Sequence, residues 1–328
     1  MKKETLLFNF FIINLVVFIL IAPLVIFYGP FASLKIFTLE TIITSRHPQV
    51  AEFFLSKEKI SQLLKQSNSG IITVEPVIMN KKNVLLDNSN GIRIEEISGK
   101  SFKGKVMLID NPNFVRIAVT NELGVAGQRL SELVIENKAI GGINAGGFFD
   151  PNAQGNGAFP DGITVQNGEI IYNNVGNKYV SIIGLDKNGV LILEEMSVKE
   201  IKEKEIQHAV TFQPYLLLNG IPQIEGDGGW GLAPRTGIGQ RSDGTIIFVV
   251  IDGRQPGWSM GATLRDLMNV FIEYQALNAA NLDGGSSTEM YYNGQIINRL
   301  WNVFGERYMP TAFIVVLNDE QNNKGETD

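Results

Sequence analysis

Thr245-Ile246-Ile247-Phe248-Val249-Val250-Ile251-Asp252-Gly253-Arg254 leads through a glycine-containing loop to Thr263-Leu264-Arg265-Asp266-Leu267, and then to Ala279-Ala280-Asn281-Leu282-Asp283-Gly284-Gly285-Ser286-Ser287-Thr288. The first run is continuously apolar and bounded by turn residues, the pattern of a strand buried on both faces. Thr263 with Asp266 three residues on is a helix-capping signal. Leu267, Val270, Phe271 and Tyr274 share one helical face, which predicts a helix over Thr263–Leu277. Strand, helix, strand is the signature of a parallel pair. Asp252 and Asp283 then fall at the carboxyl ends of two strands, on the sheet edge where ligands commonly bind. Adjacent or next-nearest strands would set the two carboxylates about 5–10 Å apart, a range suited to glycosidic cleavage.

Outward from this unit, short β-branched runs alternate with tight turns. Asn-Gly at Asn90, Asn167, Asn188, Asn219 and Asn293, and Asp-Gly at Asp161, Asp227 and Asp243, are hairpin or turn signals between apolar stretches. Helices are predicted over Arg129–Lys138 and Val198–Glu205. The fold class expected is α+β: a sheet-rich mixed α/β single domain with a β-loop-α-β unit, preceded by one transmembrane helix and a short helical stalk. The expected divisions are a cytoplasmic tip and anchor at 1–30, the stalk at 31–70, the main domain at 71–318 and a disordered tail at 319–328.

The anchor is read from Leu6 to Tyr28, an apolar run broken only by Asn9, Asn14 and Pro23. As a helix it would extend about 35 Å, and a hydrocarbon core is about 30 Å thick. Lys2 and Lys3 precede it, which predicts a single-pass cell-membrane protein with a cytoplasmic N-terminus and an extracellular catalytic domain.

Composition narrows the chemistry. The 328 residues carry 28 Lys or Arg and 34 Asp or Glu, a net charge of −6, which argues against a nucleic-acid partner. There is no cysteine, hence no thiolate nucleophile, and the two histidines, His47 and His208, cannot build a multi-histidine metal site. Acid–base work falls on carboxylates. Arg235 and Arg254 offer fork geometry suited to a phosphate. Gly284 and Gly285 let the backbone approach a ligand, and Ser286, Ser287 and Thr288 add hydroxyl donors. Together these groups point to a sugar–phosphate ligand.

Asn144-Ala145-Gly146-Gly147-Phe148-Phe149, the Asp161-Gly162-Ile163 to Asn167-Gly168 hairpin, Arg235-Thr236-x-x-Gly239, Asp252-Gly253-Arg254 and Asn278-x-x-Asn281-Leu282-Asp283-Gly284-Gly285-Ser286-Ser287-Thr288, with Glu306-Arg307 before a closing strand, resemble the phosphodiester glycosidase family. The resemblance runs from about Ile71 to Leu317. It implies an α+β fold and hydrolysis of an α-linked sugar-1-phosphodiester to free sugar and phosphomonoester. It also suggests a membrane-anchored bacterial member associated with an exopolysaccharide or other cell-envelope polysaccharide. On this basis Asp252, Asp283, Arg235 and Arg254 are expected to be catalytic. Asn144, Gly146, Gly147, Thr236, Gly284, Gly285, Ser286, Ser287 and Glu306 are expected to bind substrate, with Asp150, Asp161 and Glu306 as substitute carboxyl groups. Glu289 departs from the family pattern, where an apolar residue is expected, and its alternation with Met290 and Tyr292 reads as the solvent face of a strand.

Asp150-x-Asn152-x-Gln154-Gly155 with Asp161 at the twelfth place matches a calcium loop only in part, and no helix pair flanks it. It reads as an ordinary Asn/Gly loop, so no cofactor and a metal-independent reaction are expected. The competing class is a non-catalytic sugar-phosphate-binding or exopolysaccharide assembly protein. Both classes predict a glycine-lined sugar–phosphate pocket, and only the enzyme requires Asp252 and Asp283 to be free for chemistry.

Overall fold

The structure is a computed structural model that describes residues 2–30, 35, 38–39, 42, 49–60, 63, 83–87, 90–150, 155–302 and 304–317. The helices are α1 (Lys2–Tyr28), α2 (Gln49–Phe54), α3 (Leu130–Glu136), α4 (Val198–Glu203) and α5 (Leu264–Glu273). The strands run in chain order as β1 (Asn83–Asp87), β2 (Ile92–Ser98), β3 (Lys103–Ile109), β4 (Val115–Val119), β5 (Gly141–Asn144), β6 (Ile163–Gln166), β7 (Glu169–Asn173), β8 (Val180–Asp186) and β9 (Leu191–Met196). They continue as β10 (Ile206–Thr211), β11 (Tyr215–Leu218), β12 (Ile221–Pro222), β13 (Arg235–Arg241), β14 (Ile246–Ile251), β15 (Ala276–Leu282), β16 (Met290–Tyr292), β17 (Gln295–Ile296) and β18 (Thr311–Val315).

These strands form three antiparallel sheets. An eight-stranded sheet has the order β1-β2-β3-β14-β13-β15-β11-β12; the five-stranded ones are β7-β6-β10-β8-β9 and β17-β16-β5-β18-β4. Hairpin chemistry explains much of the pairing. Asn167, Asn219 and Asn293 adopt φ of 53°, 51° and 46°, each followed by a positive-φ glycine, which is the type I′ geometry that matches strand twist. They close β6–β7, β11–β12 and β16–β17.

The buried strand read from Thr245–Ile251 is β14. Phe248 and Val250 enter a central core fed by all three sheets, while Ile247, Val249 and Ile251 pack with α5. Both faces are covered, which is why its sequence shows no alternation. Helix α5 starts where the capping signal places it: Thr263 Oγ1 accepts from the Asp266 N–H at 3.1 Å, and Asp266 accepts from the Thr263 N–H at 2.9 Å. Its Phe271 ring lies against Gly237 and Gly239 of β13. A Cβ at Gly237 would sit 2.8 Å from Phe271 Cε2, so those glycines serve helix–sheet packing.

Strands β14 and β15 are parallel, as expected, but they do not pair with each other. β13 lies between them, antiparallel to both. The carboxyl ends of β14 and β15 and the amino end of β13 therefore meet at one edge. Asp252, Arg235 and Asp283 arrive there together.

The membrane-spanning anchor expected at 1–30, and with it the single-pass placement with an external domain, is corrected. Among the described residues no helix is long and apolar enough to cross a membrane. Helix α1 contains Pro23, and Asn14 turns its amide back to the Phe10 carbonyl at 2.8 Å. Its last turn packs on protein: Phe27 is 4% exposed and stacks on Phe54 of α2 at 4.7 Å, and Tyr28 Oη donates to the Phe54 carbonyl at 2.6 Å. Most of the stalk expected at 31–70, His47 and the tail at 319–328 lie outside the described residues.

Candidate functional site

The Asn144 side chain ties the strand ends into a frame. Its Nδ2 donates to the Asp283 carbonyl at 2.6 Å, and its Oδ1 accepts from Thr236 Oγ1 at 2.8 Å and from the Glu289 N–H at 3.1 Å. One buried amide thus joins β5 to β13 and to the two segments flanking the Gly284–Thr288 turn. Asn144 and Thr236, both buried, build the frame beneath the site. Gly146 and Gly147 sit where a Cβ would meet Val210 at 2.9 Å and the Phe212 ring at 3.1 Å, so close packing of the β5 end on β10 requires them.

Asp283 follows β15 at the centre of this frame and is part-exposed. Its N–H donates to the Ala145 carbonyl at 3.1 Å. Burial pushes its carboxyl group up to about 6, against the opposing pull of the Ser287 hydroxyl and of Arg307, with Asp150 adding to the rise. Arg307 reaches in from the segment before β18. Its guanidinium pairs with Asp150, donates to Ser286 Oγ at 2.7 Å and lies 4.9 Å from the Phe148 ring centroid. Asp150 in turn accepts from the Gly155 N–H at 2.7 Å. Asp283, Asp150, Arg307, Ser286 and Ser287 therefore form one cluster at the sheet edge.

The other expected catalytic residues occupy different places. Asp252 is buried, and its carboxylate accepts from Trp258 Nε1 at 2.8 Å, from the Arg299 N–H at 3.1 Å and from Asn298 Nδ2 at 3.3 Å. It knits two loops together. Register explains the separation from Asp283: Thr236 pairs with Val250 on one side and Leu282 on the other, so Asp252 lies one residue further beyond the aligned pair than Asp283 does. Successive strand residues point to opposite faces. Arg235 is spent on backbone carbonyls, donating from Nε to Ala262 at 3.0 Å and from Nη2 to Gly231 at 2.8 Å and Trp230 at 3.1 Å. Burial, with neighbouring Arg254, lowers it to about 10. Arg254 itself, at φ 58°, approaches the glycine turn: a Cβ on Gly285 would lie 3.6 Å from its Nη1. Gly284 and Gly285 form the start of a 3-10 turn over Gly285–Ser287, and Gly285 takes φ 62°. Glu306 caps α3, accepting from Ser131 N–H at 2.8 Å and Ser131 Oγ at 2.7 Å.

Glu289 is corrected most sharply. It is 0% exposed, with Oε1 accepting the Arg307 N–H at 2.7 Å. Burial raises it well above the ordinary carboxylate range, which favours the protonated form. In the sequence the one signal for Arg307 is its place beside Glu306, just before the closing strand β18. His208 is buried, accepts from the Asn167 N–H at 3.4 Å and is lowered to about 4, a neutral structural imidazole. Asn152 and Gln154 of the partial calcium loop lie outside the described residues. Among the described residues no group of three or more His, Asp or Glu is arranged to hold a metal.

Three antiparallel sheets thus place a carboxyl–arginine cluster beside a glycine turn at one sheet edge. The phosphodiester glycosidase model matches residues 137–316, and the chain belongs to that family. The fold is similar to the catalytic domain of zebrafish N-acetylglucosamine-1-phosphodiester α-N-acetylglucosaminidase, auto-inhibited by its pro-peptide, at 18% identity over 73% of this chain and 88% of that one, with a TM-score of 0.57. A hypothetical protein from Synechocystis matches at 16% identity over 73% and 64% of the two chains, TM-score 0.55. A putative exported protein from Burkholderia pseudomallei matches at 15% identity over 79% of each, TM-score 0.51. These likenesses show the fold. The SPbeta prophage-derived uncharacterized protein YomE of Bacillus subtilis is 34% identical over 91 residues, which is 28% of this chain and 14% of that protein.

Proposed function

We propose that the protein hydrolyses a sugar-1-phosphodiester within a polysaccharide or glycoconjugate, breaking the C1–O bond, with Asp283 as general base. The observation that carries this reading is the placement of Asp283 at the sheet edge between the Arg307–Asp150–Ser286 cluster and the Gly284–Gly285 turn, and burial there pushes its carboxyl group up to about 6. The oxygen leaving C1 belongs to a phosphodiester. It departs as a phosphomonoester taking the bonding electron pair, and its low basicity makes protonation unnecessary. Water is the poor partner. It needs a base, and burial makes a carboxylate a stronger one. Water oxygen bonds to the anomeric carbon while its proton passes to Asp283. Arg307 and Arg254 offset the charge on the departing phosphate, helped by backbone N–H groups of the Gly284–Ser287 turn. Asp252 and Arg235 support the site from behind, through the loops they hold.

Hydrolysis of a small sugar-1-phosphodiester in ¹⁸O water tests the bond. Label is expected in the released sugar. Label in the phosphate would mean P–O cleavage and would sink the proposal.

A further inference from the structure

On the other side of the Asp252 loop the fold builds a groove unrelated to the Asp283 cluster. Its walls are the β2–β3 turn and the segment Gly257–Met260, and its volume is about 390 Å³. A neighbouring pocket of about 200 Å³ shares Ser98, Lys103 and Trp258 with it. The walls are zipped by backbone: Met260 N–H to the Ser101 carbonyl at 2.8 Å and Asp252 N–H to the Lys103 carbonyl at 2.9 Å. Side chains reinforce them, with Lys103 N–H on Ser259 Oγ at 3.0 Å and Ser101 Oγ on the Gly261 carbonyl at 3.0 Å. The groove is therefore preformed.

Its lining is cationic and aromatic in a chain of net charge −6. The Lys103 ammonium lies 3.9 Å from the Trp258 ring centroid, and the Arg299 guanidinium 5.4 Å from it. Among the described residues neither Lys100 nor Lys103 pairs with a carboxylate; Lys105 alone of this group does, with Glu96 at 2.8 Å. Trp258 is fixed by its indole N–H on Asp252 and remains 38% exposed, and Met260 is 48% exposed. An indole that holds an ammonium and a guanidinium in place, with Lys100 in the same groove and an apolar rim at Met260, suits a ligand that carries negative charge alongside apolar surface.

We infer that this groove binds an anionic saccharide unit, bearing a carboxylate or a phosphate, of the glycan whose phosphodiester is cut. The inference rests on the proposed glycan substrate. The same loop connects the two places: Arg254 approaches Gly285 at one end, and Trp258–Met260 line the groove at the other. The groove would then hold a part of the polymer remote from the scissile bond, and it would make polymers better substrates than small phosphodiesters without touching the reacting atoms.

Calorimetric titration of the full chain with tetragalacturonate, with maltotetraose bearing a 6-phosphate and with plain maltotetraose tests this directly. At least one anionic probe is expected to bind, more weakly as salt rises, and the arm that binds identifies the anion. Plain maltotetraose is expected not to bind. The double substitution Lys100→Ala/Lys103→Ala should weaken the anionic probe by roughly fivefold or more, and Lys100→Arg/Lys103→Arg should restore it, while hydrolysis of a small sugar-1-phosphodiester stays unchanged. Equal binding of the neutral probe, or unchanged binding by the alanine variant, overturns the inference. Charge-dependent binding in a protein that hydrolyses no phosphodiester would leave the groove standing and remove the proposed function instead.

Discussion

The backbone N–H of Arg307 donates to Oε1 of Glu289 at 2.7 Å, so a wholly buried acid holds the segment that carries the site arginine. Among the described residues its second oxygen, Oε2, has no hydrogen-bond partner. Burial of a carboxyl group in this position disfavours its ionised form.

That relationship predicts a pH dependence of stability. The folded-state pKa of Glu289 is raised, so its contribution is fully present below the ordinary carboxylate range and is lost as pH rises through the raised value. Glu289→Gln keeps an acceptor for the Arg307 N–H and cannot ionise. Thermal midpoints measured from acid to mildly alkaline pH should fall less in this variant than in the wild type. Parallel curves for the two proteins would contradict a buried, titrating Glu289.

Asp283 should govern the rate. Asp283→Asn is expected to lower kcat by about 10²–10⁴-fold with the protein still folded. Because a general base acts when ionised, wild-type kcat/KM should rise as pH increases through about 6, and the variant should lack that limb. Undiminished turnover in a folded Asp283→Asn protein would exclude the base assigned here.

The two arginines should separate by phenotype. Arg307→Lys loses the fork that joins Asp150 and Ser286, and kcat/KM for a phosphodiester should drop by about 10-fold or more with a modest change in stability. Arg235→Lys abandons several backbone carbonyls in a buried setting and should cost about 1–3 kcal/mol of stability. Steady-state kinetics beside chemical denaturation distinguish them. An Arg235→Lys protein of full stability and impaired binding would return Arg235 to the phosphate.

Gly237→Ala should destabilise by about 1–3 kcal/mol, since the new Cβ would fall 2.8 Å from Phe271 Cε2 and 3.0 Å from the Ala280 carbonyl oxygen. Pairing it with Phe271→Leu should recover part of the loss, because the two changes share one contact. Denaturation midpoints of the single and double variants give the coupling; strict additivity would mean the ring is not the obstacle.

Local physics made much of the protein legible from its sequence alone. The unbroken apolar run Ile246–Ile251 is a strand covered on both faces, Thr263 and Asp266 cap α5, and Asn-Gly pairs close hairpins, because each depends on neighbours a few residues away. The parallel relation of β14 and β15 followed from the same spacing. What tertiary structure decided is which groups meet. It set β13 between the two strands and offset Asp252 from Asp283 by one residue, and strand alternation turned that offset into two different neighbourhoods. It turned Arg235 onto carbonyls, gave Glu306 to a helix end, hid Glu289 and brought Arg307 to Asp150 across the sheet edge. Those partners lie far apart along the chain, and their meeting depends on register and on the packing of three sheets around one core, which no local pattern encodes.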